Sequence, residues 1–141
     1  MFDRLFVLSY PFLNNMKYRL MTNSHFFTLK GQTLSRLKIN DDSVSITSNV
    51  GRYEISHSQD CCESVGVVKV EGRPEDILNS PIVMAEEDSD EIPGWQYSDG
   101  SHTWTSFYLK AENGASVKFW FLGESNGYYN ESVNFYEVKN S

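Results

Sequence analysis

The chain has 141 residues, with 19 Asp and Glu against 12 Lys and Arg and a formal net charge of −7. That length suits one domain with a real core, while the acidic balance excludes a general nucleic-acid binder, which needs a basic face, and disfavours an anionic membrane surface. Hydrophobic residues at 40% and aromatics at 14% argue for a folded chain, and the late concentration of aromatics, Trp95 to Tyr136, favours β-sheet.

Residues Met1 to Leu13 are apolar, but Arg4 is their only basic residue, Pro11 interrupts the run and no small-residue cleavage site follows, so they do not read as a signal peptide. The run is also too short to span a bilayer. Residues 1–26 are expected to be an N-terminal extension, either an appended strand or a short helix, on one β-rich domain over 27–141; Met16 and Met21 are alternative starts. Gly31 breaks a short turn over Thr28–Leu34. Leu34–Ile39, Ser43–Ser48 and Arg52–His57 then read as a three-strand meander, with turns at Asn40-Asp41-Asp42 and Asn49-Val50-Gly51. Val65–Val70 is a further strand. Pro74 with Glu75 and Asp76 marks a helix start within Gly72–Asn79, and Pro81 limits its length. Ile82–Ala85 returns to strand.

Glu86–Gly100 is expected to be a long irregular loop whose acidic run, Glu86-Glu87-Asp88-Ser89-Asp90-Glu91, is solvated. This run is too local for a DNA mimic, which would carry carboxylates over most of its surface. His102–Leu109 and Ser116–Phe121 are strands joined through Asn113-Gly114, a strong hairpin signal, and Ser132–Val138 is the last strand. The expected fold is α+β: a single domain dominated by antiparallel β-sheet, with about seven strands and one or two short helices.

The densest window of reactive groups is Ser56-His57-Ser58-Gln59-Asp60-Cys61-Cys62-Glu63-Ser64. Adjacent strand residues point to opposite faces, so Cys61 and Cys62 do not bond each other and no disulfide framework exists. A reducing, intracellular setting follows, in which the Asn130-Glu131-Ser132 triplet carries no weight. As a metal site the window is incomplete, because its thiols are adjacent and no second pair exists. As a Cys–His–acid nucleophile it is opposed by the flanking carboxylates, which raise a thiol's pKa. The plainer reading puts one Cys in the core and has His57 or Asp60 satisfying backbone donors at a strand end.

A second window, Leu122 to Glu131, differs in character. Gly123 and Gly127 free the backbone, Glu124, Ser125 and Asn126 offer polar groups, and Tyr128 and Tyr129 offer flat faces on which a planar ligand such as a nucleobase stacks. The alternative is a β-bulge or wide hairpin with one Tyr in the core. His102 and Trp104 share a strand face and either frame a pocket with these windows or split into core and strand end. Arg52, Lys69, Arg73 and Lys118 are candidates to converge on one small anionic ligand.

These windows resemble a family of small proteins of unknown function encoded mostly by bacteriophages and prophages. The resemblance rests on Leu29-Lys30-Gly31, His57 to Val65, Glu75-Asp76, Ala85-Glu86-Glu87 and Gly123 to Val133, and covers roughly Leu29 to Val138; the family's Thr-Trp-Thr-x-Tyr departs here to Thr103-Trp104-Thr105-Ser106-Phe107-Tyr108. It implies a viral accessory protein of the host bacterial cytoplasm, of a kind that often counters host defence by sequestering a signal nucleotide or blocking a host protein. Together with the residues, it gives a non-enzymatic binding protein for a small nucleotide-like ligand or a host protein. No cofactor, membrane or generic DNA or RNA partner is expected, and oligomerisation is left open. The expected ligand-binding residues are Arg52, His57, Gln59, Asp60, Trp104, Ser125, Asn126, Tyr128 and Tyr129, with the two windows side by side. The runner-up is a small metal- or thiol-dependent hydrolase built on His57, Asp60, Cys61, Cys62 and Glu63, and a third reading is an inhibitor acting through residues 86–91.

Overall fold

Alternation sets the strands. In Ser43-Val44-Ser45-Ile46, the two apolar side chains are 0% and 1% exposed while the serines look the other way, as a period of two on a pleated sheet requires. The computed structural model describes residues 5–8, 19–57, 63–92, 101–125 and 133–140. Within them lie ten strands: β1 (Leu5–Leu8), β2 (Arg19–Asn23), β3 (Leu34–Ile39), β4 (Ser43–Ser48), β5 (Arg52–Ser56), β6 (Glu63–Glu71), β7 (Ile82–Ile92), β8 (Ser101–Ala111), β9 (Ser116–Ser125) and β10 (Asn134–Asn140). They form a six-stranded sheet in the order β1-β2-β10-β5-β4-β3 and a four-stranded sheet in the order β6-β9-β8-β7. Every pairing is antiparallel.

One hydrophobic core joins the two layers. Leu34, Val44, Ile46, Ile55 and Phe135 enter it from the larger sheet, and Val65, Phe107, Leu109, Phe119 and Phe121 from the smaller. Phe26 bridges them, its ring 4.9 Å from Phe107 and 5.5 Å from Phe135, edge-on to both. Each such buried ring contributes about 1.5–3 kcal/mol relative to exposure. The β8–β9 connection turns at Asn113-Gly114 as the dipeptide predicts: Gly114 has φ +91°, and the Asn113 side-chain oxygen accepts from the Ala115 amide at 2.9 Å.

Three expectations change. The antiparallel β character is present, but among the described residues there is no α-helix, only two single 3₁₀ turns, η1 (Phe26–Leu29) and η2 (Pro74–Ile77). Pro74, Glu75 and Asp76 do start η2, yet Leu78 is already extended and Asn79 sits at φ +63°, so the turn stops at once. Strands number ten rather than about seven, partly because residues 1–26 supply β1 and β2, a pair added to the sheet edge through β10.

The acidic run is not a loop. β7 continues through it to Ile92, opposite β8. Asp and Glu disfavour strands, but β7 is an edge strand beside a long apolar one, and charge on an edge guards it against pairing with other chains.

Bulges correct the register where the sequence breaks alternation. Leu34 and Leu37 are both buried although three residues apart, because the β3–β4 register shifts between Leu34 and Arg36. In β6 the register shifts between Val67 and Lys69, so Lys69 lands opposite Trp120 on the outer face. The Asp41 carbonyl, in the β3–β4 turn, accepts from the Val67 amide at 2.7 Å and clamps the two sheets together at this bulge. No helix among the described residues is long and apolar enough to cross a membrane.

Candidate functional site

The flanks of the two sequence windows are hydrogen-bonded neighbours. Glu63 lies opposite Ser125, Ser64 opposite Glu124 and Val65 opposite Gly123. On the other sheet, Asn134 lies opposite Ser56. The stretches joining β5 to β6 and β9 to β10 therefore begin and end side by side where the chain passes between layers. His102 reaches the same end of the small sheet, with its Nε2 3.5 Å from a Glu124 carboxylate oxygen. His57 is half-buried just past β5. Gln59, Asp60, Cys61, Cys62, Asn126, Tyr128 and Tyr129 lie outside the described residues, as does the side chain of Ser125. Among the described residues, no three His, Cys, Asp or Glu side chains group to hold a metal.

Arg52 does not belong to this group. It pairs with Thr47 and Val138 and is exposed on the outer face of the six-stranded sheet. Trp104 is on the outer face of the four-stranded sheet, so the core separates the two residues and one pocket cannot use both. Of the four cations expected to converge, Lys69 and Lys118 do. Arg73 is bound to its neighbour Glu75 at 3.1 Å on the surface.

Lys69 and Lys118 converge on an aromatic cleft. Inward-facing Thr105 and Phe107 on β8, and Val117, Phe119 and Phe121 on β9, are buried. Their neighbours Trp104, Ser106, Lys118, Trp120 and Leu122 must then face out. Register arranges this face in rows across the strands. Asp90, Trp104, Leu122 and Gly66 make one row, Asp88, Ser106, Trp120 and Lys69 the next, and Glu86, Tyr108, Lys118 and Glu71 the third. The two indoles are diagonal neighbours on adjacent strands. Between them lies a cavity of about 400 Å³ lined by Lys69, Asp88, Trp104, Ser106, Lys118 and Trp120.

Charge is divided across this cleft. The Lys69 and Lys118 ammonium groups sit 4.8 and 5.0 Å from the centroid of the Trp120 ring, contacts worth about 0.5–1 kcal/mol each at an exposed site. Asp88 closes the opposite side, at the acidic edge. The cleft thus brings together two indoles, the Ser106 hydroxyl, two ammonium groups and the Asp88 carboxylate. Trp120 and Ser106 were legible as outward positions: the Asn113-Gly114 hairpin fixes the register, and alternation then puts them beside Trp104.

The chain belongs to the DUF7448 family, a domain of unknown function, whose model matches residues 27–135. The match takes in both sheets except β1, β2 and most of β10. Comparison with curated proteins and with solved structures returned no match.

Proposed function

We propose that this protein is a non-enzymatic binding protein that takes a planar, anionic, nucleotide-like ligand in the Trp104–Trp120 cleft. The observation that carries this reading is the pair of indoles on adjacent strands with Lys69 and Lys118 over one of them. A base stacked on an indole gains about 1–3 kcal/mol, and the two ammonium groups neutralise phosphate at one end of the cleft. A phage or prophage accessory protein of the bacterial cytoplasm that withdraws a signal nucleotide from host defence has the chemistry this cleft offers.

Tryptophan fluorescence tests it directly. Titration with mononucleotides, linear dinucleotides and cyclic dinucleotides is expected to give saturable quenching by at least one of them. W120A is expected to weaken that ligand roughly tenfold or more, and K69Q/K118Q to weaken anionic ligands while sparing a neutral nucleoside. Absence of saturable quenching up to about 1 mM, the weak end of specific binding, sinks the reading. Conversion of the ligand during incubation would instead favour the hydrolase built on His57 to Glu63.

A further inference from the structure

The opposite outer face carries a second, different cleft. On the six-stranded sheet, register lines up Arg36, Thr47, Arg52 and Val138 in one row and Lys38, Ser45, Glu54 and Tyr136 in the next. These rows enclose a cavity of about 240 Å³ lined by Arg36, Lys38, Ser45, Thr47, Arg52 and Glu54, among others. Arg36, Lys38 and Arg52 are all exposed, and among the described residues none of them is engaged in an ion pair. Three unneutralised cations on one face stand out in a protein of net charge −7.

Geometry suits an anion larger than one phosphate. Arg36 and Arg52 are two strands apart, roughly 10 Å on the sheet lattice, with the Thr47 hydroxyl between them and the Ser45 hydroxyl beside it. Two guanidinium forks at that separation each engage a separate phosphoryl group. The β10 side supplies a low-dielectric wall, since Val138 and Tyr136 face outward yet are each only 7% exposed. Burial also raises the Tyr136 phenol, opposed by its hydrogen bond with Asn134 and reinforced by the charge of Glu54. Glu54 is the one carboxylate in the cleft. The Ser56 hydroxyl donates to its Oε2 at 3.3 Å, on the side away from Arg52.

We infer that Arg36, Lys38 and Arg52, with the Thr47 and Ser45 hydroxyls, form a diphosphate-binding site on the outer face of the six-stranded sheet, separate from the aromatic cleft. The ligand chemistry is two linked phosphoryl groups, from inorganic pyrophosphate or from a nucleoside diphosphate. This inference does not depend on the Trp104–Trp120 reading, and either can fail alone.

Isothermal titration of the full chain at low ionic strength, with pyrophosphate, phosphate and ADP, decides it. Pyrophosphate is expected to bind at least tenfold tighter than phosphate, because only the larger anion spans both guanidinium groups. R36Q/R52Q is expected to lose pyrophosphate binding roughly tenfold or more, E54Q to tighten it several-fold by removing the repelling charge, and K69Q/K118Q to leave it unchanged. Equal affinity for ADP and pyrophosphate assigns the site to the diphosphate alone. Tighter ADP, with the surplus lost in R36Q/R52Q, assigns it to a nucleoside diphosphate. Both outcomes support the site. No pyrophosphate heat up to about 1 mM, binding retained in a folded R36Q/R52Q, or equal loss in K69Q/K118Q overturns it. Circular dichroism checks the variants, and R52Q alone carries the test if the double variant does not fold.

Discussion

On the four-stranded sheet the outward positions Trp104, Trp120 and Leu122 are apolar, with Lys69, Lys118 and Glu71 towards β6 and Glu86 and Asp88 along β7. On the six-stranded sheet the outward positions of β3, β4 and β5, Arg36, Lys38, Ser45, Thr47, Arg52 and Glu54, are polar, and the apolar ones, Tyr136 and Val138, are buried on β10. Their inward positions are alike: Val44, Ile46 and Ile55 on one, Val117, Phe119 and Phe121 on the other, all buried in one cluster. Inward residues fix the fold and outward residues are free to differ, so each face is open to a separate ligand. A substitution on one face should then spare both the stability and the other face, whereas one between the layers should damage both.

The largest effect is expected at Gly72, which follows β6. It has φ +86°, and a Cβ there would lie 2.3 Å from the Ser116 carbonyl oxygen at the start of β9. Gly72→Ala is expected to cost roughly 2–4 kcal/mol, from backbone strain plus displacement of the β9 backbone. Gly114 is its control: φ is +91° but nothing lies within 4 Å of a new Cβ, so Gly114→Ala should cost only about 1 kcal/mol. Urea titration of the two variants separates strain from collision. Because β9 carries both Lys118 and Trp120, a Gly72→Ala protein that still folds should lose nucleotide quenching before it loses pyrophosphate binding. Equal stability of the two variants would show that β9 yields freely.

A second substitution should tilt the comparison the other way. Gln32 is 9% exposed. Its Nε2 donates to the Thr28 carbonyl at 2.9 Å and the Tyr53 hydroxyl at 3.0 Å, and its Oε1 accepts from the Ser48 hydroxyl at 2.5 Å. Ser48 in turn accepts from the Val50 and Gly51 amides, so the network ties η1 to the β4–β5 turn. Gln32→Leu leaves several buried groups short of partners and is expected to cost about 2–3 kcal/mol. Thermal unfolding measures this. Its functional consequence should fall on the face bearing Arg52 and Thr47, which flank that turn, and leave the Trp104–Trp120 cleft working.

What the sequence made legible follows the same division. Ser43–Ser48 and the start at Arg52 stand out because polar residues alternate with apolar ones, Leu34–Ile39 is marked by its apolar residues between turn signals, and the structure places β4, β5 and β3 there. Trp104 was recognisable as an aromatic on a strong strand. The length of β7 was not, because six residues rich in Asp and Glu read as solvated, and only pairing with β8 makes them strand. Lys69 was named for its charge, but the face it takes was hidden for a different reason. Strict alternation from Val65 and Val67 puts it inside, and the bulge that turns it toward Trp120 is fixed by the Asp41 carbonyl, 26 positions away in sequence. Arg52 was read as part of a site because of its charge, but nothing local to it reveals which of two sheets its strand joins.

The smallest expected effect tests whether the acidic edge is merely tolerated. Glu87 shares the inward side of β7 with Ala85 and lies opposite Phe107. Burial raises its carboxyl above the ordinary range, and this outweighs the attraction of His25, which lowers it. The folded protein therefore holds that proton more tightly than the unfolded chain does. The stability this contributes is complete below the unfolded carboxylate pKa and is lost as pH rises through the folded one. Glu87→Gln removes the loss. Because much of the residue is exposed, solvent screening limits the gain to about 1–2 °C in Tm at pH 7, shrinking to nothing near pH ~4. A lower Tm for Glu87→Gln at pH 7 would mean that attraction between Glu87 and His25 outweighs desolvation, and the acidic edge would then stabilise the seam with η1 rather than only guard β7 against other strands.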